Sequence, residues 1–279
     1  MVLGAIEAGG TKFVCGVGTG PDDLRLANFP TAQPAATMAE VIEFFRQQGR
    51  LDAVGIGSFG PIERASGRIA GTPKLDWRNF DIAGTVRRAL DVPVGFDTDV
   101  SAAALGEARW GAGRGLADFI YVTVGTGIGG GAIANGRLLH GMAHPEMGHL
   151  RLPHDWTRDP FAGICPWHGD CLEGLASGPA VQARWGVAPE LLPPGHPGWE
   201  LEAHYLALGI QNLACTLSPQ RILLGGGVMR QAHLFERIRT ELSRLLNGYL
   251  PLCEILPPQL GERAGVLGGL VLAERAAGN

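Results

Sequence analysis

Two stretches of this chain repeat one plan, and that repeat constrains the fold more than any other feature of the sequence. In Ala5-Ile6-Glu7-Ala8-Gly9-Gly10-Thr11-Lys12 an apolar run meets a Gly-Gly turn, and Phe13-Val14-Cys15-Gly16-Val17 continues as a second strand. In Phe119-Ile120-Tyr121-Val122-Thr123-Val124 another apolar run meets Gly125-Thr126-Gly127, and Ile128-Gly129-Gly130-Gly131-Ala132-Ile133 leads away toward a tight Asn135-Gly136 turn. Each turn joins glycines, whose bare backbone N–H groups can approach an anion closely, to a threonine hydroxyl. Two such turns, roughly a hundred residues apart and each opening one half of the chain, predict a duplicated domain with a nucleotide's phosphates clamped between the halves.

Gly125, Gly127 and Gly130 also fall at G-x-G-x-x-G. A dinucleotide fold needs a helix directly after those glycines, whereas Gly131-Ala132-Ile133-Ala134 runs into Asn-Gly, so a nicotinamide or flavin site is excluded. With 279 residues, 46% of them hydrophobic, the chain can bury two ordinary cores. We place the first α/β domain at residues 1–118 and the second at residues 119–279, with the last helix packing back on the first. A net charge of −4 and the lack of a lysine-rich run argue against nucleic acid as a partner. No apolar run reaches membrane-spanning length, and Val2-Leu3-Gly4-Ala5-Ile6 follows Met1 with no basic region or cleavage site, which predicts a cytoplasmic protein away from membranes. The five cysteines form no disulfide framework, in keeping with a reducing compartment.

Between the two glycine turns, Met38, Val41, Ile42 and Phe45 recur at helical spacing and predict an amphipathic helix from Thr37 to Gln48. Ala53-Val54-Gly55-Ile56 reads as a buried strand, Gly71 to Trp77 as an irregular loop, and Val92 to Phe96 as a strand. Asp97-Thr98-Asp99 follows that strand and precedes the alanine-rich helix Val100 to Glu107. Asp99 at this corner is explained either as a helix N-cap or as a general base for phosphoryl transfer, and the two roles are compatible. In the second half, a helix follows Gly178-Pro179, residues 186–199 read as a proline-rich surface loop, and Leu201 to Leu217 reads as a long core helix. Arg221 to Leu224 forms a strand that breaks at Gly225-Gly226-Gly227-Val228-Met229, a turn able to lie flat against a purine or ribose, before an amphipathic helix around Leu234 to Leu245. Gly265 to Ala273 reads as a buried closing helix.

His144 to Ser177 concentrates donor side chains in a chain otherwise poor in them. Cys165-Pro-Trp-His168-Gly-Asp-Cys171 places three sulfur or nitrogen donors three residues apart, which suits the closed tetrahedral geometry of structural Zn²⁺. The fourth donor lies upstream, with His149 and His154 both in range, and Glu146 and Glu173 flank the group.

Taken in order, Glu7-Ala-Gly-Gly-Thr-Lys12, Asp97-Thr-Asp99-Val-Ser-Ala-Ala-Ala-Leu-Gly-Glu107, Val124-Gly-Thr-Gly-Ile-Gly-Gly-Gly131, Glu146-Met-Gly-His149, Cys165-Pro-Trp-His168-Gly-Asp-Cys171-Leu-Glu173-Gly and Leu224-Gly-Gly-Gly-Val-Met229 resemble the ROK family of sugar kinases, and within it the bacterial fructokinase branch. The resemblance implies an actin-like, hexokinase-like ATPase fold of duplicated ribonuclease-H-like domains that close over ATP and a sugar, with a zinc-binding loop. It implies Asp99 as catalytic base in contact with the sugar, Gly9, Gly10, Thr11 and Lys12 as the first phosphate loop, and Gly125, Thr126 and Gly127 as the second. Gly225, Gly226, Gly227, Val228 and Met229, with Pro179, fall on the adenosine side; Glu146, His149 and Glu173 match residues that hold sugar hydroxyls. By the same resemblance His149 joins Cys165, His168 and Cys171 as a zinc ligand, and Mg²⁺ accompanies ATP. The expected protein is a homodimeric kinase that phosphorylates D-fructose at O6, with mannose, glucose or allose as other hexoses and a non-catalytic sugar-sensing regulator as the other class. Two departures, Glu7 where many relatives carry aspartate and a knuckle of two cysteines and one histidine where ROK glucokinases carry three cysteines, also resemble the fructokinase branch.

Overall fold

The computed structural model describes residues 1–278. The chain supplies β1 (Leu3–Ala8), β2 (Lys12–Gly18), β3 (Arg25–Pro30), α1 (Pro34–Gln47), β4 (Ala53–Ser58), the short β5 (Ile62–Glu63) and β6 (Arg68–Ile69), α2 (Ile82–Leu90), β7 (Val94–Thr98) and α3 (Asp99–Trp110). It continues through β8 (Phe119–Val124), β9 (Ile128–Ala134), β10 (Arg137–Leu138), α4 (Leu172–Ala176), α5 (Gly178–Trp185), α6 (Gly198–Leu217), β11 (Arg221–Gly225), α7 (His233–Leu246) and β12 (Glu254–Leu256), and closes on α8 (Ala264–Ala277). Two compact units result: Met1–Gly115 with Leu138–His144 and the segment from Gln259 onward, and Leu116–Arg137 with Pro145–Pro258.

The first unit is built on a five-stranded sheet in the order β3-β2-β1-β4-β7. Its first three strands form an antiparallel meander, and β4 and β7 add to β1 in parallel. Side chains alternate between the two faces of a strand, and the alternation here is also one of size. Ile6, Ala8, Phe13, Cys15, Val17, Val54 and Ile56 face one way and form a core with Met38, Val41 and Phe45 of α1 and Ile82 and Val86 of α2. Leu3, Ala5, Val14 and Ala53 face the other way and meet Val266, Leu267, Leu270 and Ala273 of α8. Glycines complete this second face, where a Cβ built on Gly55 would lie 1.9 Å from the Gly269 carbonyl and one on Gly268 1.6 Å from that of Ala102. The closing helix therefore reaches β4 and α3 at backbone contact. Glu107, on the last turn of α3 and fully buried, accepts from the backbone N–H groups of Ala112 (2.7 Å), Leu260 (2.8 Å) and Gln259 (3.2 Å), which ties the return of the chain to this unit.

The second unit repeats the plan in the order β10-β9-β8-β11-β12, with β8 antiparallel to β9 and parallel to β11, and β12 parallel to β11. Both glycine turns predicted from the sequence are thus hairpin turns, β1 to β2 and β8 to β9, at equivalent places in two sheets of one topology. The doubled sheet is the actin-like, hexokinase-like fold.

Two stretches expected to be irregular contain ordered turns, and a tryptophan pins each. Leu75–Trp77 is a 3-10 turn whose Trp77 is buried against Phe13, ring centroids 5.1 Å apart, with Nε1 donating to the Ala32 carbonyl at 2.9 Å. Within residues 186–199, Pro189–Leu191 forms a 3-10 turn and α6 starts at Gly198, so that Trp199 is fully buried and its Nε1 donates to the Pro193 carbonyl at 2.9 Å. Glycine and proline in these stretches signal breaks in regular structure, and one buried indole in each outweighs them. Among the described residues no helix is long and apolar enough to cross a membrane.

Candidate active site and metal centre

At the carboxyl end of the first sheet, β7 finishes on Asp97-Thr98 and α3 begins at Asp99. Thr98 is the N-cap, its Oγ1 accepting from the Ser101 N–H at 3.1 Å, so the capping role allowed for Asp99 falls instead to the residue before it. A threonine hydroxyl reaches the third helical N–H from the cap position, whereas Asp99, one residue later, turns Oδ1 onto the Val100 N–H at 2.9 Å. The β1–β2 turn belongs to the same unit. Gly9 N–H donates to the Lys12 carbonyl at 3.0 Å, and Thr31 fixes the loop from outside: its Oγ1 donates to Gly9 O at 2.7 Å and its N–H to Thr11 O at 2.9 Å. Gly10, Thr11 and Lys12 stay exposed.

Glu7, at the end of β1, has its Oε2 shielded from solvent with no hydrogen-bond partner among the described residues. Burial, and after it the nearby charge of Asp99, pushes its carboxyl from the ordinary 4.5 up to about 7, with Lys12 and the Val266 N–H opposing. A Cβ on residue 265 would stand 2.5 Å from that carboxyl carbon, so glycine there makes the room Glu7 occupies.

In the second unit the β8–β9 turn closes with Gly125 N–H on Gly127 O at 2.9 Å, and Gly178 N–H donates to Gly125 O at 2.8 Å. Pro179 follows in the first turn of α5, where a missing N–H costs nothing. Glu173, from α4, accepts the Ile128 N–H on Oε2 at 2.9 Å and lies so close to the turn that a Cβ on Gly127 would be 2.6 Å from that oxygen. After β11, Gly226 takes φ +92° with its Cα against β8, where a Cβ would be 2.3 Å from Val124 O; Val228 and Met229 follow in a buried 3-10 turn. Gly125 to Gly127, Pro179, Glu173 and Gly225 to Met229 are thereby gathered at the carboxyl ends of β8 and β11. Glu146 stands immediately before the Met147–His149 turn, and its carbonyl accepts the His149 N–H at 3.0 Å.

The knuckle Cys165 to Cys171 is closed by paired backbone hydrogen bonds, Gly169 N–H to Cys165 O at 2.9 Å and Cys165 N–H to Gly169 O at 3.1 Å. Gly169 has φ +62°, and Gly174 packs so tightly that a Cβ would sit 1.8 Å from Gly169 O. One ligand atom each from His149, Cys165, His168 and Cys171 lies within 4.8 Å of the others. His149 Nδ1 is 3.7 Å from Cys165 Sγ and 3.6 Å from Cys171 Sγ, and His168 Nδ1 is 3.7 Å from Cys165 Sγ. A tetrahedral ion with metal–sulfur bonds of about 2.3 Å and metal–nitrogen bonds of about 2.0–2.1 Å sets sulfur-to-nitrogen edges of about 3.6 Å, so the four donors fit such an ion. Burial pushes the Cys171 thiol up to about 11, and a bound divalent cation is what ionises a thiol so placed. His154 has both ring nitrogens engaged elsewhere, Nε2 donating to Asp159 O at 2.9 Å and Nδ1 against Asp170 Oδ2 at 3.2 Å, with its ring stacked on Trp156.

One contact at the site had no signal in the sequence. His140 Nε2 donates to Asp97 Oδ2 at 2.8 Å, joining residues 43 apart beside the corner that carries Asp99. A single histidine outside any helix or strand has no partner that spacing can reveal.

The chain belongs to the ROK family, whose sequence model matches residues 3–276. A fructokinase of Pediococcus pentosaceus is 42% identical over 100% of this chain and 100% of its own length. Among solved structures, the ROK hexokinase of Thermus thermophilus covers 100% of both chains with a TM-score of 0.84 at 30% identity. A ROK glucokinase of Streptomyces griseus, solved with glucose and AMPPNP, covers 99% of this chain and 100% of its own with a TM-score of 0.79 at 27% identity.

Proposed function

We propose that this protein transfers the γ-phosphoryl group of ATP to a hexose, D-fructose at O6, giving fructose 6-phosphate and ADP. The observation that carries the proposal is the corner at residues 97–99. Thr98, not Asp99, caps α3, which leaves the Asp99 carboxylate at the end of β7, held by its Oδ1 on the Val100 N–H, as the candidate general base for phosphoryl transfer. In this scheme Asp99 takes the proton of the sugar hydroxyl as its oxygen attacks the γ-phosphorus and ADP leaves. The loops Gly9 to Lys12 and Gly125 to Gly127 hold the phosphates: the N–H groups of Gly9 and Gly125 close the two turns, and those of Gly10, Thr11, Thr126 and Gly127, with the Lys12 ammonium, face the anion. Gly225 to Met229 and Pro179 lie along the adenosine. Glu146, His149 and Glu173 hold sugar hydroxyls, each carboxylate being able to accept from adjacent O–H groups. Mg²⁺ carried in with ATP neutralises charge on the phosphoryl oxygens. Zn²⁺ on His149, Cys165, His168 and Cys171 would fix the loop that bears the sugar residues, with His149 turning Nδ1 to the metal and its other ring edge to the substrate.

Fructose is favoured over glucose because the fructokinase relative is 42% identical, against 27% for the glucokinase. An ADP-release assay over fructose, glucose, mannose and allose tests the proposal. Fructose should give the highest kcat/KM, and Asp99→Ala should lower turnover by about 10²- to 10⁴-fold. Near-normal turnover in that variant would remove Asp99 as the base, and a higher kcat/KM for another hexose would reassign the substrate.

A further inference from the structure

We infer that His140 is a positioning residue that holds the Asp97-Thr98-Asp99 corner in place, so that Asp99 meets its substrate in register. The kinetic part of this inference rests on the kinase activity proposed above; the structural part does not.

Asp97 lies on the edge strand β7, one pairing step before its end, and its side chain is only 3% exposed. A carboxylate taken out of water there needs compensating donors. The structure supplies two: the Thr98 N–H to Oδ1 at 2.9 Å, and His140 Nε2 to Oδ2 at 2.8 Å. The first is local and moves with the corner. The second comes from residues 138–144, a stretch that clusters with the first unit although the chain on both sides of it belongs to the second. One hydrogen bond therefore fastens two things at once: the strand end two residues before Asp99, and the segment that runs on through Pro145 into Glu146.

Removing the imidazole would leave Asp97 buried with a single backbone donor. Its carboxylate would turn toward water and drag with it the peptide that carries the Thr98 cap and Asp99. Reacting groups misplaced by about 1 Å can lose about 10² in rate, so a small displacement at this corner is enough to matter.

The test contrasts two substitutions of equal polarity and unequal reach. In His140→Gln the side-chain amide nitrogen reaches the place of Nε2 and can donate to Asp97; in His140→Asn it stops at the place of Nδ1. Two readouts are needed: amide hydrogen exchange at Thr98, Val100 and Ser101, and fructose-dependent ADP release with separate kcat and KM for ATP. In His140→Asn we expect exchange at these amides to rise about tenfold or more and kcat to fall about ten- to a hundredfold with the ATP KM within about twofold of the parent. His140→Gln should stay near the parent in both. Equal exchange in the two variants would overturn the inference, as would a difference in exchange with no difference in kcat. A parent protein inactive on every hexose, with exchange still separating the variants, would sink the kinase proposal and leave His140 as the anchor of the corner.

Discussion

Among single residues, His149 and Glu173 are each proposed to carry more than one task. The turn Met147–His149 presents His149 Nδ1 to both thiols, and the rigid ring places Nε2 on its far edge. His154 is closer in sequence to the knuckle, yet its nitrogens are held by Asp159 and Asp170. We therefore expect His149→Ala to lose most of the about one zinc ion per chain that elemental analysis should find in the parent, and His154→Ala to keep it; full retention in His149→Ala would remove it from the ligand set. Glu173 commits Oε2 to the Ile128 N–H, so the oxygen that steadies the β8–β9 turn belongs to the same carboxylate proposed to bind sugar. That double use could not be seen in the sequence, where Glu173 and Ile128 are 45 residues apart.

The elements were legible wherever local pattern and burial agree. Both hairpins, the α1 stripe of Met38, Val41 and Phe45, and the strand-to-glycine break at Gly225 follow from spacing and turn chemistry alone. Trp77 and Trp199 were not legible as anchors, because what orders their segments is a pocket built by residues far away in the chain. The apolar tail predicted a buried helix, and its glycines acquire meaning only in packing. With Gly268 against the Ala102 carbonyl, no side chain fits between α3 and α8. Gly268→Ala should destabilise the protein by about 3 kcal/mol in chemical denaturation, despite the better helix propensity of alanine. A loss below about 0.5 kcal/mol would mean that α8 can slide to accept a methyl group.

Across the whole molecule, the buried carboxyl of Glu7 makes stability depend on pH. Its folded pKa, pushed up to about 7, exceeds the ordinary 4.5 of the unfolded chain, so folding favours the neutral acid. Its contribution is fully present below about pH 4.5 and is lost as pH rises through about 7, a difference of roughly 3 kcal/mol. In the nucleotide-free protein, Glu7→Gln should gain little stability near pH 5 and roughly that amount near pH 8; equal gains at both would show that Glu7 does not titrate in this range. The sequence by itself determined the repeated strand, glycine turn and strand, the three knuckle donors Cys165, His168 and Cys171 of the candidate metal centre, and the candidate base, because each is written in neighbouring residues whose spacing sets backbone path and side-chain type. Tertiary structure alone decided which carboxylate steadies the second glycine turn and that His140 finds Asp97. These pairings join chemistry tens of residues apart, and a buried charge or an unfilled N–H selects its partner only after the chain has brought the two together.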